Sequence, residues 1–247
     1  MLFISTRPNG LLYRHINVID GRIDAIPSAL ISREEGLRIL RLLEIGKKIR
    51  MNVSLPNVTG GPIEEHNVVA EIRGREKPEE VVILGAHLDS WDLGTGCLDN
   101  GCNVTLIIEV ARAVVAAKLR PRRTLRFVLF SGEEQGLFGS LGYVRAHRRE
   151  LQSIAAVVVH DMGIGKIKGY SLNGRNDLEN GLREVMASLP DGRGFGSHSE
   201  TAFLGTDHFD FLLEGIPALV AIQETKEYVP SYHSSADTFD KVGTQVL

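Results

Sequence analysis

Apolar and polar positions along this chain follow two different periods. From residue 67 onward, short apolar-rich runs alternate with stretches whose apolar residues recur every three or four positions. The runs at 67–74, 80–87, 124–131, 154–160 and 217–223 have the length of strands. Val81–Ala86 and Ile154–Val159 contain no charge, which is the pattern of strands buried on both faces. Between the runs, Gly101–Lys118 sets Val104, Ile107, Ile108, Val110, Ala111 and Val114 at helical spacing. Further helices are predicted over 136–148, 178–188 and 206–214. Buried strands alternating with amphipathic helices predict an α/β fold with a largely parallel central sheet and helices on both faces.

The first sixty residues have another texture. Ser32 and Glu35 form a capping box ahead of Leu37, Ile39, Leu40, Leu42, Leu43 and Ile45, so a helix is predicted from Ser32 to about Gly46. Residues 49–55 alternate like a strand, and "PNVTGGP" at 56–62 is turn chemistry. A boundary is therefore expected there, dividing 1–62 from 63–247.

Composition narrows the function classes. The chain has 247 residues, 43% hydrophobic and 24% charged, with a net charge of −3. That balance gives no basic footprint for nucleic acid and no basic stretch for a membrane surface. Its apolar runs are too short to span a bilayer. "MLFISTRPNG" lacks the features of a signal peptide, which leaves a cytoplasmic chain or one whose leader lies outside this sequence. The two cysteines, Cys97 and Cys102, are too few for a disulfide framework and are expected as small semi-buried thiols.

Histidine and acidic residues follow the predicted strands. His87 and Asp89 come after one, Glu133 and Glu134 after the next, Asp161 after a third, and His233 on the loop after a fourth. Asp99 stands just before the first long helix. In open α/β sheets ligands bind beyond the carboxyl ends of the strands, so these groups can converge. Crowded carboxylates repel, and a bound cation relieves the conflict. Histidine and carboxylate ligands without thiolate suit zinc, and five candidates with one able to bridge suit two ions better than one.

Taken singly, each piece has an ordinary explanation. An aspartate after a strand is usually a helix cap, and His15, His66, His147, His198 and His208 need no function. His160 is expected to face away from Asp161. Two other chemistries fail on the residues. Gly94-Thr95-Gly96 lacks the third glycine of a dinucleotide loop, with Asp99 in its place. No stretch fits the nucleophile elbow of a serine hydrolase.

"GAHLDSWDLGTGCLDNG", "RTLRFVLFSGEEQGLFGS", "HDMG" and "YHSSADTFDKV" together resemble the co-catalytic zinc aminopeptidase family, in its carboxypeptidase Q-like branch. The resemblance implies a zinc-dependent exopeptidase fold preceded by part of a protease-associated domain, in a fragment truncated at both ends. It implies that His87 and Asp161 hold one zinc, Glu134 and His233 the other, and that Asp99 bridges them. Glu133 is then the general base, Asp89 the carboxylate orienting His87, Tyr232 an aid to the oxyanion, and Asp237 a support for His233. Asn100 departs from the family, which usually carries a second aspartate there. The implied substrates are short peptides, and the implied location is extracellular or periplasmic. The oligomeric state stays open, a homodimer included. A glutaminyl-cyclase-like acyltransferase and a catalytically silent receptor-like relative are the alternatives on the same fold. Asn52, Asn57 and Asn103 begin chance-level glycosylation sequons.

Overall fold

A computed structural model describes residues 1–15, 25–58, 60–188, 196–198 and 204–243, with only the backbone of 196–198. Strands β1 (Leu2–Ile4) and β2 (Ala29–Ile31) form a small parallel pair, followed by helix α1 (Arg33–Glu44). Ser32 caps α1 as its sequence predicts, its Oγ accepting from Glu35 N at 3.3 Å. Residues 49–55, predicted as a strand, are irregular and mostly exposed. Their alternation finds no partner strand among the described residues, and an unpaired strand is not stable in water.

The remaining elements are β3 (Val68–Ile72), β4 (Lys77–His87), α2 (Cys102–Ala116), β5 (Arg123–Phe130), α3 (Phe138–Ala146), β6 (Ile154–Val159), β7 (Ile167–Ser171), α4 (Glu179–Ala187), β8 (Gly196–His198), α5 (His208–Leu213) and β9 (Ala218–Gln223). Seven strands make one sheet in the order β3-β5-β4-β6-β9-β7-β8. The four central strands β5, β4, β6 and β9 are parallel, whereas β3 and β7 run antiparallel to their neighbours β5 and β9. The sheet is therefore mixed at its edges and parallel in its middle.

Both faces of the centre are covered, which explains the unbroken apolar runs. On one face Val81, Ile83, Phe130, Val157 and Val159 pack with Tyr143 of α3 and Phe211 of α5. On the other, Ala86, Phe127 and Leu129 meet Ile107 of α2. Phe130 is fully buried and packs edge-on against Phe211, with ring centres 6.0 Å apart. Burying such a side chain stabilises by about 1.5–3 kcal/mol. Parallel central strands all end at one edge, so the loops after β4, β5, β6 and β9 open on the same side.

Candidate metal centre

Each of those loops brings one part of a buried polar cluster. His87 is the last residue of β4 and is almost wholly buried. Its Nδ1 lies 2.9 Å from the backbone oxygen of Asp89, and its Nε2 lies 2.9 Å from Asp161 Oδ1 and 3.1 Å from Asp99 Oδ1. Asp161 follows β6. His233, on the loop after β9, has its Nε2 3.0 Å from Glu134 Oε2 and 3.3 Å from Asp99 Oδ2. The Asp99 carboxylate therefore stands between the two imidazoles, one oxygen toward each.

Backbone geometry sets these side chains. Asp99 sits in a tight turn over Cys97–Gly101 with non-helical angles, φ −129° and ψ 85°. That turn is held by Asp237, whose two carboxylate oxygens accept from Leu98 N at 2.7 Å and Asp99 N at 3.0 Å. Asp237 thus supports Asp99 through the backbone, where the family resemblance had it supporting His233. Glu133 and Glu134 follow β5 after Gly132, which turns the chain at φ +70°, a conformation that favours glycine. Their backbone N–H groups donate to Asp89 Oδ1 and Oδ2, each at 3.1 Å. Asp89 Oδ1 lies 3.6 Å from His87 Nδ1, so the carboxylate holds the glutamate loop while its backbone oxygen takes the imidazole.

Two overlapping sets of ligand atoms lie within 4.8 Å of one another: His87, Glu133 and Asp161, and His87, Asp99 and Glu134. His233 adjoins the second set through Asp99 and Glu134. Asp99 Oδ2 and Glu134 Oε1 are buried without a hydrogen bond of good geometry. Orphaned carboxylate oxygens are costly in a protein interior, and a cation between them removes the cost. The donor set, nitrogen and oxygen without sulfur, fits zinc or a similar divalent ion.

The electrostatics show the same crowding. Burial pushes Glu133 up to about 10, with Asp161 adding to the rise. Burial also raises Glu134, Asp161 and, to about 8, Asp207. Burial opposes charge on His233 as well, but hydrogen bonds with Asp99 and Glu134 prevail and lift it to about 9. The same contest lifts His87 well above the ordinary histidine value, with Asp161 the largest favourable partner. Asp99 is held below the ordinary carboxylate value: burial acts upward, and the two histidines outweigh it.

A cavity of about 440 Å³ opens over this cluster. Tyr232 and Tyr228 line it, as does His15, one of the histidines that the sequence left without a role. The Tyr232 ring stacks on His233 at 3.7 Å between centres. Burial, then the charge of Asp99, raises the Tyr232 phenol, which keeps it a proton donor at neutral pH. Tyr228 and the fully buried Asp207 carry no sequence signal of their own; burial, then the Asp99 charge, raises the Tyr228 phenol, and Asp207 feels the charges of His87 and Asp161. Asp207 begins a helix, where an aspartate reads as an ordinary cap. His160 packs edge-on against Tyr170.

Asn100 is buried and bonded at both ends of its amide. Its Nδ2 donates to the His160 carbonyl at 3.0 Å, and its Oδ1 accepts from Asn103 Nδ2 at 2.6 Å. The same burial closes Asn103 to a glycan. Cys97 and Cys102 are free, half-buried thiols.

Residues 67–247 match the family described as Peptidase family M28. The chain belongs to Peptidase family M28. Among curated relatives, carboxypeptidase Q of Xenopus laevis is 32% identical over 216 residues, covering 87% of this chain and 46% of that protein. Carboxypeptidase Q of Homo sapiens is 32% identical over 218 residues, covering 87% and 45%. The chain thus lies in the carboxypeptidase Q-like branch and spans about half the length of the curated relatives it matches. A peptidase M28 precursor from Shewanella amazonensis superposes with a TM-score of 0.83 at 27% identity, over 98% of this chain and 55% of that one. A zinc aminopeptidase from Bacillus subtilis superposes at 0.59 and 26% identity, over 72% and 45%. Among the described residues no helix is long and apolar enough to cross a membrane.

Proposed function

We propose that this chain carries the catalytic centre of a metallo-exopeptidase that hydrolyses short peptides with two zinc ions. The observation that supports this most is the placement of Asp99 between His87 and His233, with Asp99 Oδ2 and Glu134 Oε1 buried and lacking a hydrogen bond of good geometry. His87 and Asp161 would hold one ion, Glu134 and His233 the other, and Asp99 both. The carboxylates of Asp99, Glu133, Glu134 and Asp161 match two divalent cations in charge. Zinc bound here supplies Lewis acidity toward a water and toward the scissile carbonyl.

The residues of the chain do the rest. Glu133, in reach of the His87 and Asp161 ligand atoms, takes a proton from the attacking water and delivers it to the leaving amine. A cation held beside it would lower its pKa from about 10 toward the working range. The Tyr232 phenol donates toward the oxygen that gains negative charge. A small cavity lined by aromatic rings suits a short peptide, dipeptides included. An extracellular setting fits the carboxypeptidase Q-like branch.

The test is a pair of variants. Glu133→Gln is expected to keep both metals and lose about 10²–10⁴-fold in turnover. Glu134→Gln is expected to lose zinc affinity first and activity with it. Metal content and kcat are measured for each on a dipeptide panel. If Glu133→Gln loses zinc while Glu134→Gln keeps it, the two roles are wrongly assigned.

A further inference from the structure

His233 is gripped from a distant part of the chain. Its Nδ1 donates to the carbonyl oxygen of Arg14 at 2.8 Å, and Arg14 N donates back to the His233 carbonyl at 2.8 Å. The Tyr13 ring lies almost parallel to the imidazole, 5.5 Å away at 13°. The Arg7 guanidinium sits 4.9 Å from the Tyr13 ring centre and 5.6 Å from that of Tyr232. Behind this contact the loop is closed on one buried hydroxyl. Ser5 Oγ accepts from Arg7 N at 3.2 Å and Tyr13 N at 3.0 Å, and donates to the Leu11 carbonyl at 2.8 Å.

A carbonyl oxygen can only accept, so Nδ1 must carry a proton whether the ring is neutral or charged. Nε2 is then the nitrogen left for Glu134, Asp99 and any ion between them. His87 obeys the same rule, with Nδ1 facing the carbonyl of Asp89 only two residues away. The two imidazoles differ in where that carbonyl comes from. His87 is oriented within its own loop, whereas His233 depends on a residue 219 positions earlier, between β1 and β2 in the chain.

We infer that the segment Ser5–Arg14 is a working part of the metal centre. The Arg14 carbonyl, held by Ser5 and Tyr13, is the positioning group that fixes the tautomer and ring plane of His233. Through His233 it sets the affinity of one of the two metal positions and leaves the other to His87. This rests on reading the site as di-zinc. It adds a dependence of one position on residues outside the matched family region of 67–247.

The test uses the whole chain, stripped of metal by chelator and labelled with 15N at histidine. In the metal-free wild type, His233 Nδ1 is expected to be protonated and to stay so as zinc is added. Ser5→Ala and Tyr13→Ala free the loop, and Tyr13→Phe keeps the stacked ring. Competition against a chromophoric chelator should show one of two zinc affinities weakened about 10–100-fold in Ser5→Ala and Tyr13→Ala, with the other unchanged. Tyr13→Phe should behave as wild type. Equal weakening of both positions, no weakening of either, or an unprotonated His233 Nδ1 in wild type overturns the inference. A wild-type chain that takes up no zinc would instead overturn the metallopeptidase reading, and the tautomer in metal-free protein still decides the positioning claim.

Discussion

Asp89 offers the clearest test of how the glutamate loop is held. Its two carboxylate oxygens accept one hydrogen bond each from the backbone of Glu133 and Glu134, both at 3.1 Å. Hydrogen bonds to a charged group contribute about 1.5–3 kcal/mol each. Both contacts are at the long end of the range, and the Asp89 side chain is 20% exposed, so water replaces part of what is lost. Asp89→Asn keeps one oxygen acceptor and turns an NH₂ group toward the other N–H. The expected cost is therefore about 1–2 kcal/mol, with a fall of about 2–8 °C in Tm for a chain of this size. Activity should fall further than stability, because a shift of about 1 Å in a reacting group costs on the order of 10²-fold. At saturating zinc, kcat for Asp89→Asn is expected about 10–100-fold below wild type, with Asp89→Ala lower still. The assay pairs dipeptide turnover with a thermal melt. An Asp89→Asn protein with wild-type kcat and wild-type Tm would show that something else aims Glu133 and Glu134.

Asn100→Asp, which restores the usual family residue, is expected to destabilise by about 1–3 kcal/mol, since a carboxylate would face the His160 carbonyl where the amide now donates; an unchanged urea midpoint would refute this. Burial pushes the Cys102 thiol up to about 12, so it stays protonated through mildly alkaline pH and should resist iodoacetamide until the chain unfolds. Mass spectrometry after labelling at rising pH checks this, and rapid alkylation of Cys102 in folded protein would count against it.

Legibility in the sequence followed burial. Val81–Ala86 and Ile154–Val159 were readable as strands because they are covered on both faces and need no polar residue. Ile167–Ser171 was not, because a five-residue strand containing Lys168 and Gly169 carries no period long enough to detect. The stretch at 49–55 had the right alternation and no partner, since alternation describes a strand's faces and says nothing of its neighbours. The histidines and carboxylates of the centre were legible because each follows a strand at the same sheet edge. What stayed hidden acts through the backbone. The Arg14 carbonyl has no side-chain signature, and nothing local links it to His233. The hold of Asp237 on the Asp99 turn is hidden for the same reason: its partners are the N–H groups of Leu98 and Asp99, which any residues could supply.

The acidic residues of the centre sort by what they accept from. Asp89 and Asp237 each take a pair of backbone N–H groups, which fixes the loops carrying Glu133, Glu134 and Asp99. Asp99, Glu134 and Asp161 each face an imidazole nitrogen within 3.3 Å, so they keep a positive or metal-bearing partner close. Glu133 has neither kind of partner; burial and the Asp161 carboxylate dominate its surroundings and raise it to about 10. A carboxyl group without a fixed counter-charge is the one in the cluster whose proton is free to move. Fixed carboxylates make poor proton carriers, because giving up charge means losing the contacts that hold them. The proposed division of labour between Glu133 and Glu134 therefore needs no difference in residue type. Adjacent glutamates on one clamped loop differ in their imidazole contact: Glu134 meets His233 Nε2 at 3.0 Å, whereas the His87 charge only partly offsets the burial and the Asp161 charge that raise Glu133.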